Sequence, residues 1–289
     1  MALIIDASLV LGATYALVGV GFVILFRATG VMNFAQGSFM VLGAYVFYWL
    51  NTTVHLNTFS AFGVSLLLMA LWGASVYLFA FRRLIGAVHF ILVIATFGLS
   101  IVVVTAVEMI WGPASLFIPP QLGTQPLSTS PVLQFSQLDL LTIACVVAIV
   151  VVVEFGLKAT RVGMWMRAVA SDPLLAAYKG INVHAVAALA WAIASLTACA
   201  AGVAFAMRTN LDPTNIQSLG LVAFPAILLG GLDSIKGVLL GGLLVALAQT
   251  AATTVLGGTV SDVVAYSVML VVLLILPTGL FGSKAVVRL

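Results

Sequence analysis

The amino-acid sequence predicts an all-α polytopic membrane protein. The expected fold is a bundle of 8–9 transmembrane helices with short or re-entrant half-helices, the N-terminus outside and the C-terminus inside. Three observations predict it. Of the 289 residues, 63% are hydrophobic and only 7% are charged. A soluble domain carries roughly 25% charged residues to cover its surface, so most of this surface must face lipid. The apolar residues also fall in runs of membrane-spanning length, and the basic residues gather on one side of those runs.

The first run, 7–26, follows "MALIIDASLV", which lacks a basic segment and reaches Asp6 early. It therefore reads as a retained span rather than a cleaved signal. A membrane helix needs about 20 apolar residues, and further runs of that kind fall at 34–50, 59–81, 90–111, 138–157, 184–207, 237–256 and 260–278. A shorter run, 219–232, contains Pro225 and Gly230 and reads as a short span or a re-entrant half-helix. The outer loop 112–137 is rich in proline and carries no charge.

Small residues predict close packing. Ala190, Ala194, Ala198, Gly202 and Ala206 recur every four positions, and Gly237 and Gly241 form a GxxxG pair. Four-residue spacing keeps them on one helix face, where another backbone can approach.

Charge sets the expected orientation. With the N-terminus outside and the short run crossing, Arg27, Arg82, Arg83, Lys158, Arg161, Arg167, Lys179, Lys236, Lys284 and Arg288 all lie inside. Only Arg208 lies outside. The reverse orientation would invert a strong positive-inside bias.

Several function classes are excluded. The chain has no HExxH, GxSxG, Walker A or dinucleotide fingerprint, and no nucleophile–base pair can be assembled. His55, His89 and His184 sit near the ends of separate spans. Glu108, Asp139, Glu154 and Asp262 also fall near run ends, and no run carries a carboxylate near its centre. An ion-coupled carrier usually places ionisable groups at mid-membrane, so this chain lacks an energy source of its own. Cys145 and Cys199 form no CxxC pair and read as buried small hydrophobes. The scattered basic residues argue against a nucleic-acid partner.

Three polar stretches remain. In "GVMNFAQGSF", Asn33 and Gln36 have the spacing of a reciprocal capping box on a helix starting at Phe34. The same residues also suit a helix that begins inside the bundle, its amides and positive end facing a translocation path. The two readings are compatible. In "LLGGLDSIKG", a glycine-rich break again precedes a helix, with Asp233 or Ser234 as its cap. Corresponding breaks in two halves point to a transporter pathway, so Asn33, Gln36, Gly37, Gly230 and Gly231 are the candidate path residues. The third stretch, 158–183, is the longest inner loop. Met166, Val169, Leu174, Leu175 and Tyr178 are expected along one side of short helices. Asp172-Pro173 is a helix start and Gly180 a stop. Such a segment lies on the membrane or docks into a partner, or is simply a solvated loop.

In this order and spacing the stretches resemble the permease subunits of branched-chain amino acid ABC importers, the LivH/LivM family. "ATYALVGVGFVILFRATGVMNFAQGSFMVLGAYV", "RVGMWMRAVASDPLLAAYKGINV", "AILLGGLDSIKGVLLGG" and "LPTGLFG" carry the likeness, from about residue 11 to 282. The short chain favours the LivH-like member. The resemblance implies a single transmembrane permease domain over 1–289 in a bacterial inner (cytoplasmic) membrane. The implied partners are a second, LivM-like permease, two cytoplasmic ATPase subunits and a periplasmic substrate-binding protein. No cofactor is implied on this chain, since ATP and Mg would be bound by the ATPases.

The resemblance also implies alternating access for branched-chain or other hydrophobic amino acids. A same-family importer for urea, short amides or aromatic acids is the alternative, and a self-sufficient channel or secondary carrier a distant one. The coupling loop is 158–183, with Arg167, Asp172, Pro173, Tyr178, Gly180 and Asn182 as the residues expected to meet the ATPase. Many relatives carry His where this chain has Gln36, so a titrating switch is not expected there.

Overall fold

Lipid offers backbone amides no hydrogen-bond partner, so a chain this apolar must satisfy its backbone within helices. The computed structural model describes residues 2–84, 88–118, 135–276 and 279–282, and these are almost entirely helical. The helices are α1 (Ala2–Thr29), α2 (Gln36–Thr52), α3 (Thr58–Phe79), α4 (His89–Trp111), α5 (Gln137–Ala159), α6 (Arg161–Ser171), α7 (Pro173–Tyr178), α8 (Val183–Arg208), α9 (Pro213–Val222), α10 (Phe224–Gly230), α11 (Ile235–Leu256) and α12 (Ser261–Ile275). Lys284, Arg288, Pro277 and most of the 112–137 loop lie outside the described residues.

Among the described residues, seven helical segments are long and apolar enough to cross a membrane: α1, α3, α4, α5, α8, α11, and α9 with α10 taken together. The expected 34–50 and 260–278 runs become α2 and α12, of 17 and 15 residues, which are shorter. The expected short run at 219–232 starts earlier, at Pro213. There Asp212 accepts from the Asn215 amide and Pro213 occupies the first helical position. Pro225 lies just inside α10, where the chain breaks between α9 and α10.

Two helices form the interior. Over an apolar stretch of 18 residues, 78% of α1 and 72% of α8 is buried, against 17% of α5 and 28% of α3 and α4. α11 packs along α1, while α2 and α3 pack along α8, which also lies against α1. The small residues make these approaches possible. Ala190, Ala194, Ala198, Gly202 and Ala206 are all buried. A Cβ on Gly202 would strike the Met40 carbonyl of α2, and one on Gly43 would lie 2.6 Å from Cys199 Cα. Across the next interface, Gly237 and Gly241 of α11 face Gly230 and Ala226 of α10, which are themselves four apart. The spacing therefore identifies real crossings.

Polar caps punctuate the helices. Asn57 accepts from the Ser60 amide. Ser136 and Asp139 form a reciprocal capping box at the start of α5. Asp139 also pairs with Arg208 at 3.3 Å, so the one basic residue assigned outside sits beside the start of α5.

Candidate functional site

α1 ends at Thr29, with Gly30 at φ +68° and its amide donating to Phe26 O. From there the chain turns back into the bundle. Gln36, the first residue of α2, donates from Nε2 to the carbonyl of Ala194 at 3.0 Å. Ala194 lies in the middle of α8, about 16 Å along that helix at 1.5 Å per residue. On the other side, a Cβ added to Gly21, two turns before the end of α1, would lie 2.6 Å from Gln36 Nε2. α2 thus begins inside the protein, and the non-helical segment 30–35 leads into it.

Apolar and polar contacts hold that segment. The Phe34 ring stacks on Phe97 with centroids 4.6 Å apart and also meets Phe224. The Phe34 amide donates to Thr96 Oγ1. Asn33 and Gln36 are 1% and 2% exposed, so both amides must find protein partners.

The expected capping box is not what satisfies them. The helix starts at Gln36 rather than Phe34, and its cap residue, Ala35, makes no side-chain bond. Asn33 Oδ1 instead accepts from the Ala35 amide, and Asn33 Nδ2 donates to Gln36 Oε1 at 3.3 Å. Gln36 is drawn sideways to Ala194 and does not reach back to the backbone amide of Asn33. Gly37 serves close packing: a Cβ there would lie 2.5 Å from Gln217 O of α9, where Gly220 also faces it.

Gly230 and Gly231 close α10. Gly231 has φ +103°, a left-handed conformation that favours glycine. The tail pairs with this break, Leu280 N donating to Leu229 O at 2.8 Å and Phe281 N to Gly230 O at 3.1 Å. Leu280 and Phe281 are therefore structurally one feature with the "LLGG" break. The two glycine breaks are linked through α10, with Phe34 against Phe224 at its start and Gly230–Gly231 at its end.

The stretch 158–183 folds into α6 and α7. Asp172 ends α6 and caps α7, its Oδ1 accepting from the Leu174 and Leu175 amides at 2.9 and 3.0 Å. Pro173 opens α7. Gly180, at φ +82°, turns the chain toward α8, which Asn182 caps through the Ala185 amide. Arg167 Nη1 donates to the Leu157 carbonyl. The apolar residues do not share one side, as the sequence suggested. Met166 and Val169 are buried, whereas Leu174, Leu175 and Tyr178 are 73%, 61% and 85% exposed. The bend at Asp172 separates the two sets.

A cavity of about 650 Å³ opens between the end of α1, the end of α3 and the start of α8, within the range of small-molecule sites. Tyr77, Phe81 and Trp191 supply aromatic walls, and Arg27, Arg167 and Asp233 supply charge. Arg167 and Pro173 line it; Asn33, Gln36, Gly37, Gly230 and Gly231 do not. Val31 of the 30–35 segment does, and Trp191 stands one turn before Ala194 on α8. The Gln36–Ala194 contact thus lies beside the cavity wall.

Some polar residues escaped the sequence reading. Gln249, within α11, accepts from the Tyr15 hydroxyl at 2.7 Å and donates to Asp262 at 3.4 Å, tying α1, α11 and α12 together. Its signal was a lone amide inside an apolar run, well away from any break. Tyr77 and His184 meet at 3.1 Å across α3 and α8, a pairing that two distant spans do not disclose.

Comparison with known proteins gives consistent matches. A sequence-family model described as "Branched-chain amino acid transport system / permease component" matches residues 4–273. The high-affinity branched-chain amino acid transport system permease protein BraD of Pseudomonas aeruginosa is 30% identical, over 96% of this chain and 95% of that protein. LivH of Escherichia coli, carrying the same high-affinity permease description, is 27% identical over 96% and 94%. A probable branched-chain amino acid transport permease LivH of Methanocaldococcus jannaschii is 25% identical over 97% and 92%. No solved structure matches the chain.

Proposed function

The chain belongs to the family of branched-chain amino acid transport system permease components, and from that premise we propose that it is a permease subunit of an ATP-binding cassette importer in a bacterial inner membrane. It pairs with a second, LivM-like permease and works with two cytoplasmic ATPases and a periplasmic binding protein. It carries branched-chain or other hydrophobic amino acids by alternating access, the ATPases binding the ATP and Mg.

The observation that carries this reading is the α6–α7 platform. α7 presents Leu174, Leu175 and Tyr178 outward, and Asp172 and Gly180 fix its two ends. Capped ends and exposed apolar tips suit a rigid helix seated in a partner's groove. Arg27, Lys158, Arg167 and Lys236 converge on one cavity near this platform, which supports a cytoplasmic placement. In this orientation the chain crosses nine times, α2 completing the crossing that residues 30–35 begin. Asn33, Gln36 and Gly37 then form a seal beside the path, and Gly230 and Gly231 a packing joint near it.

Reconstitution tests the proposal. Proteoliposomes holding this chain, the second permease, both ATPases and the binding protein should accumulate leucine only with ATP. Vesicles with this chain alone should not. Uptake by the chain alone would establish a channel or secondary carrier instead. ATP-dependent uptake of urea or an aromatic acid, without leucine, would keep the architecture and change the substrate.

A further inference from the structure

A second cavity, of about 390 Å³, lies among the ends of α1 and α5, the body of α6 and the start of α11. Four cations line it, Arg27, Lys158, Arg167 and Lys236, against two carboxylates, Glu154 and Asp233. Four minus two leaves a net charge of +2. Glu154 is already engaged by Lys158 one turn away. The first turn of α11 lines the same space through Ser234, Ile235 and Lys236, adding the positive end of a 22-residue helix. The remaining wall is apolar, with Ile24, Leu157, Met166 and Ile235.

The helix that forms one lip of this cavity says which anion fits. α5 is the least buried of the long helices. Val147, Val151 and Phe155, spaced by four, are 56%, 58% and 68% exposed, so they form an apolar stripe on its outer surface. The stripe ends one turn before Lys158, at the cavity's edge. An acyl chain lying along it delivers a headgroup to the four cations. A small soluble anion would make no use of the stripe.

We propose that this cavity binds the headgroup of an anionic phospholipid, its phosphate held by the cations on α1, α5, α6 and α11 and its acyl chains laid against α5. Basic pockets between membrane helices on the cytoplasmic side suit such headgroups, each basic residue strengthening binding about fivefold. Arg167 lies in α6, next to the platform that ends in α7, so an occupied cavity would brace the base of that platform.

Native mass spectrometry of the purified complex, titrated with phosphatidylglycerol or phosphatidylcholine, tests this without reference to transport. The parent should retain phosphatidylglycerol in clear preference to phosphatidylcholine. Lys158→Gln and Lys236→Gln should each weaken phosphatidylglycerol binding about fivefold, and the pair about 30-fold. Phosphatidylcholine binding should stay the same, and millimolar inorganic phosphate should not displace the lipid. Equal retention of both lipids by the parent overturns the proposal. So does undiminished phosphatidylglycerol binding in the double variant, and so does displacement by inorganic phosphate, which would mark a soluble-anion site.

Discussion

Gln36 Nε2 donates to the Ala194 carbonyl at 3.0 Å, joining the first residue of α2 to the middle of α8. The same amide accepts from Asn33 Nδ2. One side chain therefore satisfies a buried neighbour and anchors the 30–35 segment to an interior helix. Gln36→Met keeps much of the volume but removes both partnerships and strands the Asn33 amide. An unsatisfied buried donor costs roughly 1–3 kcal/mol, so the purified complex should melt at a lower temperature. Gly21→Val should act alike, because its side chain would push into the space of Gln36 Nε2 and Thr197 Oγ1. Unchanged melting in both variants would show that the contact bears no load.

Gly237 meets the Gly230 carbonyl so closely that any Cβ must displace one helix from the other. Gly237→Val should therefore part α10 from α11 and disturb the backbone pairing of the tail with Leu229 and Gly230. The expected result is a loss of most folded protein, read by fluorescence-detected size-exclusion chromatography. Gly156→Ala on α5 is the contrasting variant, since nothing lies within 4 Å of its added Cβ. Its yield should be unchanged.

These two sites show what the sequence disclosed. Four-residue spacing of small side chains was enough to find the α8 and α10–α11 crossings, because a close helix approach demands it locally. Asp172 and Gly180 were legible as a helix start and stop for the same reason: their signals act on residues two or three positions away. The partner of Gln36 was not legible, because it is a backbone carbonyl 158 positions distant, and every residue has one. The division of Met166 and Val169 from Leu174 and Leu175 was hidden likewise, since it depends on the bend at Asp172. The Tyr15–Gln249–Asp262 chain needed three helices to be placed before any of its bonds existed.

Asp212 gives a pH prediction. Its carboxyl is held below the ordinary aspartate range, first by the Asn215 amide and then by the Ser115 hydroxyl. A lowered folded-state value means that ionised Asp212 stabilises the fold above the unfolded value of about 3.9. That contribution falls away as pH drops through the folded value. Ser115 lies beside Leu116, which pairs with Leu211 in an isolated bridge, so acid should loosen this contact between the α4 exit and the α8–α9 turn. Limited pepsin cleavage near 115–118 should rise in the parent as pH falls below about 4. Asp212→Asn should show a flat profile at that site.

Leu174 and Tyr178 provide a test in which stability and coupling separate. Both are largely exposed on α7, so Leu174→Asp and Tyr178→Asp remove little packing from this chain. Surface changes of this sort usually stay within about 0.5 kcal/mol, and folded yield should match the parent. If α7 seats in an ATPase groove, a charge at either position meets an apolar wall, and ATP-driven leucine uptake should fall at least tenfold. Asp172→Ala should behave differently, because it removes a cap that accepts two amides and costs about 1 kcal/mol of local stability as well. Gly180→Val forces a β-branched residue into φ +82° and should likewise lower both yield and uptake. Parent-level uptake in Leu174→Asp and Tyr178→Asp, with the ATPases bound, would place the coupling surface elsewhere on this chain.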